Sequence, residues 1–122
     1  MAAKATKKRE AEFQRLRRAL ARRRRQQDAA RIRQAREKAA RVCALLKRDY
    51  GASQVYLYGS LAWGGFGEGS DIDLLVIGAK GSYWQMYLAA ESAAAPFPIH
   101  LVDLADASPS LREEVLRRGI RM

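Results

Sequence analysis

Val55-Tyr-Leu-Tyr-Gly-Ser-Leu-Ala-Trp-Gly-Gly-Phe-Gly-Glu-Gly-Ser-Asp-Ile-Asp-Leu-Leu-Val-Ile77 reads as two short strands joined by a glycine-rich turn. Val55 to Tyr58 is a β-branched and aromatic run stopped by Gly59-Ser60, and Asp71 to Ile77 is an apolar run that opens with two carboxylates. Residues two apart on a strand share a face, so Asp71 and Asp73 project together, followed by Leu75 and Ile77. Ile72, Leu74 and Val76 form a fully apolar opposite face that must lie on the core, which leaves the Asp face to open at one end of the sheet. Two like charges side by side are destabilising, and a divalent cation is the usual compensation for convergent carboxylates.

The turn carries Gly59, Gly64, Gly65, Gly67 and Gly69, where a backbone without Cβ atoms can come close to a ligand. Ser60 reads as the N-cap of a short helix, Leu61 to Trp63, whose free N–H groups would face a phosphate. Two better-known phosphate loops do not fit. There is no Gly-Lys-Ser/Thr ending, and Gly65-Phe-Gly-Glu-Gly69 leads into a strand rather than opening a helix.

Gly59-Ser60, ten residues and then Asp71-x-Asp73, with an apolar strand on each side, resembles the DNA polymerase β-like nucleotidyltransferases. The Leu-Tyr-Gly-Ser-Leu-Ala wording and the tail Pro98-Ile-His-Leu-Val-Asp-Leu-Ala-Asp-Ala-Ser-Pro109 look like the minimal nucleotidyltransferases, over roughly residues 41 to 120. The resemblance implies that Gly59 and Ser60 bind the nucleotide triphosphate, that Asp71 and Asp73 hold metal ions, Mg2+ or Mn2+, and that Asp71, Asp73 and Ser60 are the catalytic residues. ATP is the implied substrate. It further implies an antitoxin-like member that moves AMP to a hydroxyl of a helical HEPN-type toxin.

The pattern breaks at one position. The resemblance implies a third carboxylate two residues after Pro98, and that residue is His100. Asp103 is three positions further along a strand, which reverses the face, so it should point away or sit at the strand end. Imidazole can be a ligand or a base, but it removes a negative charge and suits transition metals better than magnesium. His100 therefore makes activity the open point between a tuned enzyme and a weakened or inactive one.

The formal net charge of +10 is unevenly placed: residues 1 to 49 hold 18 Lys and Arg against 5 Asp and Glu, while residues 50 to 122 hold 5 against 8. The basic charge thus belongs to one element and the site-bearing part is slightly acidic. The lone Cys43 has no Cys or His at ligand spacing, so neither a disulfide nor a zinc site is expected, and it reads as a small core residue. There is no apolar run suited to crossing a membrane and no secretory signal, so a cytoplasmic location without membrane attachment is expected.

From about Ala3 to Tyr50 there is no Pro or Gly, and the composition is strongly helical, with Gly51 as the stop. Ile32, Ala35, Ala39, Val42 and Leu46 form one apolar stripe expected on the sheet, whereas Arg22 to Arg25 interrupt an earlier stripe of Phe13, Leu16 and Leu20. Ser82 should cap a helix to about Ser92, with Trp84, Met86, Tyr87 and Leu88 available for packing; Ile99 to Leu104 is a third strand. Ser108-Pro109 opens a last helix, Gly119 ends it, and Ile120 to Met122 can add a short edge strand.

The expected fold is α/β (α+β): a small mixed β-sheet of three to four strands packed by helices, with a long basic N-terminal helix. The division is a basic helical arm, 1–40, and a nucleotidyltransferase domain, 41–122. Three functions compete: the metal-dependent adenylyltransferase, a partner that neutralises such a toxin by occlusion without catalysis, and an RNA-binding nucleotidyltransferase-like protein whose arm grips nucleic acid. Self-association through the Phe13, Leu16, Leu20 stripe is a further use of the arm.

Overall fold

The computed structural model describes residues 2–122. Helix α1, Ala2–Tyr50, is a single run of 49 residues, about 70 Å at the usual 1.5 Å per residue. It ends where Gly51 turns to φ 69° and the Ala52 N–H reaches back to the Leu46 carbonyl at 3.1 Å, a left-handed stop that glycine accepts at no steric cost. The first half projects: Phe13, Leu16 and Leu20 are 59, 55 and 56% exposed. Docking starts at Ile32, and Ala35, Ala39, Val42 and Leu46 are completely buried.

That buried stripe is the expected one, but its main seat differs. It lies chiefly against helix α3, Tyr83–Ala94, with thinner contact to the sheet. The reason is the facing row Met86, Ala90 and Ala94, whose small residues let the two helices approach closely. Cys43 sits in this seam, and burial pushes its thiol up to about 11, with Lys47 opposing. At pH 8 about one thiol in a thousand is then ionised. Cys43 should resist a thiol reagent such as DTNB in the native protein and react with one equivalent in denaturant; rapid native labelling would mean that α1 leaves its seat.

Strands β1 (Gln54–Tyr58), β2 (Ile72–Ile77), β3 (Ile99–Asp103) and β4 (Ile120–Arg121) form one sheet in the order β3-β2-β1-β4. β2 is antiparallel to β1 and parallel to β3, and β4 pairs antiparallel with β1, so the sheet is mixed. Ile72, Leu74 and Val76 join Val55, Leu57, Ile99 and Leu101 under α1 and α3. The other face carries Tyr58 and Leu75 against Val115 of helix α4, Pro109–Arg118. At the end bearing Asp73 the His100 side chain is exposed while that of Asp73 is partly buried.

Ser82 and Ser108 cap α3 and α4 as expected, accepting from the Gln85 and Leu111 N–H groups. Three expectations are corrected. Ser60 is not an N-cap: helix α2 is Ser60–Trp63, its cap is Gly59, and no side chain caps it. The physical reason is that Gly59 takes φ 72° and supplies its carbonyl to Ala62 and Trp63, so the chain turns one residue earlier. Asp71 lies one residue before β2 rather than within it, and is exposed. Trp84 and Leu88 do not pack inward; they are 68 and 59% exposed, because the inner face of α3 is taken by Met86 and Ala90. Among the described residues, no helix is long and apolar enough to cross a membrane.

Candidate active site

Three strands place three polar side chains in one row. Tyr58 on β1 pairs with Asp73 on β2, and Asp73 pairs with His100 on β3. His100 Nδ1 lies 3.5 Å from Asp73 Oδ1 and 3.5 Å from Tyr58 Oη, while its side chain is 62% exposed. The Tyr58 hydroxyl is pushed up to about 12 by burial and then by the charge of Asp73, so it stays a proton donor at neutral pH.

Burial lifts the Asp73 carboxyl above its ordinary value; His100 pulls it back in part, and the charge of Asp71 adds to the rise. The sign follows from linkage. An acid with a raised folded-state pKa ionises more readily in the unfolded chain, so stability falls as pH rises through the carboxylate range. A cation held by the folded protein offsets that cost. The donor set fits such a cation, since two carboxylates together with substrate phosphates and water are the usual surroundings of Mg2+. Among the described residues no group of three or more His, Cys, Asp and Glu is gathered for a metal, so Asp71 and Asp73 are the candidate carboxylate ligands, with the His100 nitrogen beside Asp73.

The turn and the carboxylate meet at Gly59. A Cβ built there would overlap the Asp73 Oδ2 atom, and φ of 72° is strained for any other residue. The missing side chain is therefore filled by the carboxylate, and the backbone that begins α2 is locked against the candidate metal ligand. At Gly64, Gly65, Gly67 and Gly69 a methyl group would meet nothing within 4 Å, so these four positions face open space while Phe66 between them is buried. Gly59→Ala should cost about 1–3 kcal/mol and lower Tm by about 5–10 °C, whereas Ser60→Ala, which removes no capping bond, should change Tm little. Equal melting of Gly59→Ala and the natural chain would refute the contact.

Asp103 does not enter the site. It ends β3 and its Oδ1 accepts the Ala105 N–H at 2.9 Å, capping the one-turn 3-10 helix Leu104–Asp106. Two groups beside the site were not foreseen. Tyr58 read only as strand, although pairing the two strands outward from the turn would have set it opposite Asp73. Trp63 donates its indole N–H to the Arg118 carbonyl at 3.0 Å and lies under the Arg118 guanidinium at 4.5 Å, pinning α4 to α2. Arg118 is 55 residues away in sequence, and no local pattern announces that contact.

The model of the family described as polymerase beta, nucleotidyltransferase matches residues 41–122. The chain belongs to this family. No curated protein matches the sequence. Among solved structures, this nucleotidyltransferase is similar to a minimal nucleotidyltransferase, with 32% identity over 75% of this chain and 95% of the other and a TM-score of 0.63. A chain of a toxin–antitoxin structure with AMP-PNP is 30% identical over 66% of this chain and 69% of that one, TM-score 0.55. A chain from the complex of a tri-AMPylated Shewanella oneidensis HEPN toxin with an MNT antitoxin is 25% identical over 71% and 70%, TM-score 0.52.

Proposed function

We propose that the chain is a metal-dependent adenylyltransferase that moves AMP from ATP to a hydroxyl of a partner protein of the HEPN toxin type. The observation that carries the reading is the Gly59–Asp73 contact, which joins the start of the glycine turn to a site carboxylate. The similar structures with AMP-PNP and with an AMPylated HEPN toxin support the choice of nucleotide and partner. Residues 41–122 form the transferase in this reading and residues 1–40 the arm, in keeping with the span of the family match.

Gly59 and Ser60 bind the triphosphate through backbone N–H groups and the free Ser60 hydroxyl. Asp71 and Asp73 hold Mg2+ or Mn2+. When bound, the cation supplies charge neutralisation for the triphosphate. The acceptor oxygen bonds to the α-phosphorus, the bond from that phosphorus to the β-bridging oxygen breaks, and pyrophosphate leaves with the electron pair. The acceptor proton goes to His100 or to water. His100 also favours a second reading, occlusion without transfer, since imidazole stands where the resemblance implies a carboxylate.

The test uses ATP labelled at the α-phosphate or at the γ-phosphate, a divalent cation and a HEPN-type partner. The partner should gain the α-label and not the γ-label. Inhibition of the partner with no label gained would overturn transfer and leave occlusion.

A further inference from the structure

We propose that the projecting half of α1 is a binding surface for the sugar-phosphate backbone of duplex nucleic acid, presented by one face of the helix. The inference does not depend on the transferase reading. At 100° per residue, Lys4, Lys7, Arg15, Arg18, Arg22 and Arg25 fall on one arc of the helix. The apolar stripe of Phe13, Leu16 and Leu20 lies on the opposite side, and the two acids of this stretch, Glu10 and Glu12, lie off the basic arc. All six cations are exposed, and among the described residues none of them makes an ion pair or hydrogen bond.

Magnitudes favour nucleic acid over other acidic partners. The six span 22 residues of helix, about 32 Å from first to last. B-form DNA carries a charge per about 1.7 Å of axis, so a helix laid along it has roughly ten phosphates on the near side, more than the six cations need. Four of the six are Arg, whose planar fork pairs with phosphate oxygens. An anionic membrane would need a continuous apolar face to carry binding, and only three large residues stand there, with Arg9, Arg23 and Arg24 on the same side of the helix. Residues 50–122 are slightly acidic, with 5 Lys and Arg against 8 Asp and Glu, so the duplex is drawn to the helix rather than to the sheet.

The experiment is fluorescence anisotropy of the full chain with a 20-base-pair DNA duplex of arbitrary sequence from 50 to 200 mM salt. Six phosphate contacts predict a slope of log K against log salt of about −5, a loss of about a thousandfold or more across that range. Replacing Arg15, Arg18, Arg22 and Arg25 by Gln should flatten the slope to about −2. Replacing Arg9, Arg17, Arg23 and Arg24 by Gln removes the same charge from the other sides and should leave the slope near that of the natural chain. Circular dichroism checks that both variants stay helical. A natural slope no steeper than about −2, equal flattening by both variants, or binding to phosphatidylserine vesicles without binding to the duplex would each overturn the proposal.

Discussion

Replacing Asp71 and Asp73 together by Asn should cut AMP transfer at least about 1,000-fold while the fold persists. Loss of about 4 kcal/mol of charge stabilisation in the transition state corresponds to that factor, and Asn keeps the shape of each side chain. Stability should move the other way. Burial lifts the Asp73 carboxyl and the Asp71 charge adds to it, so without a cation the natural protein carries an anion that the fold disfavours. The double variant should therefore melt at the same temperature as the cation-free natural chain or slightly higher. Adding Mn2+ with a non-hydrolysable ATP analogue should raise the Tm of the natural chain and leave the variant unmoved. Transfer at the natural rate would sink the site. A drop in Tm of many degrees would instead make the two carboxylates structural.

The second large effect is a gain. His100→Asp should raise magnesium-supported transfer by about tenfold, equivalent to about 1.4 kcal/mol. The parallel register sets residue 100 directly beside Asp73, and Nδ1 is already 3.5 Å from its carboxylate. A carboxylate there adds a hard oxygen donor and one negative charge for a hard dication, in place of a softer nitrogen. The natural chain should correspondingly work better with Mn2+ than with Mg2+, and the preference should shrink in the variant. A metal series on both proteins decides the matter: a natural preference for Mg2+, or a variant that gains nothing, would place His100 outside the metal chemistry.

The strands and their inward faces were legible because period-two alternation is local and Ile72, Leu74 and Val76 leave one choice of buried side. The helix caps at Ser82 and Ser108 were legible for the same reason, each being a contact within three residues. Ser60 misled because serine after a strand is a common cap, whereas the cap was decided by the backbone that Gly59 alone could adopt. Trp84 misled because aromatic content says nothing about which side of a helix is already filled, here by Met86, Ala90 and Ala94. The row of Tyr58, Asp73 and His100 could not be read from any one segment. It exists only through the registers of β1 with β2 and of β2 with β3.

Because α1 runs unbroken from residue 2 to residue 50 with no Gly or Pro between, its two halves behave as one lever. The fulcrum is the buried row from Ala35 to Leu46, seated on α3. A tilt of about 10° there sweeps residue 4 through roughly 8 Å, since some 31 residues of helix separate them. A small repacking around Met86 and Ala90 is thus geared up into a large swing at the tip. The gearing also runs in reverse: whatever holds the tip still damps motion in the seam that backs β2 and its carboxylates.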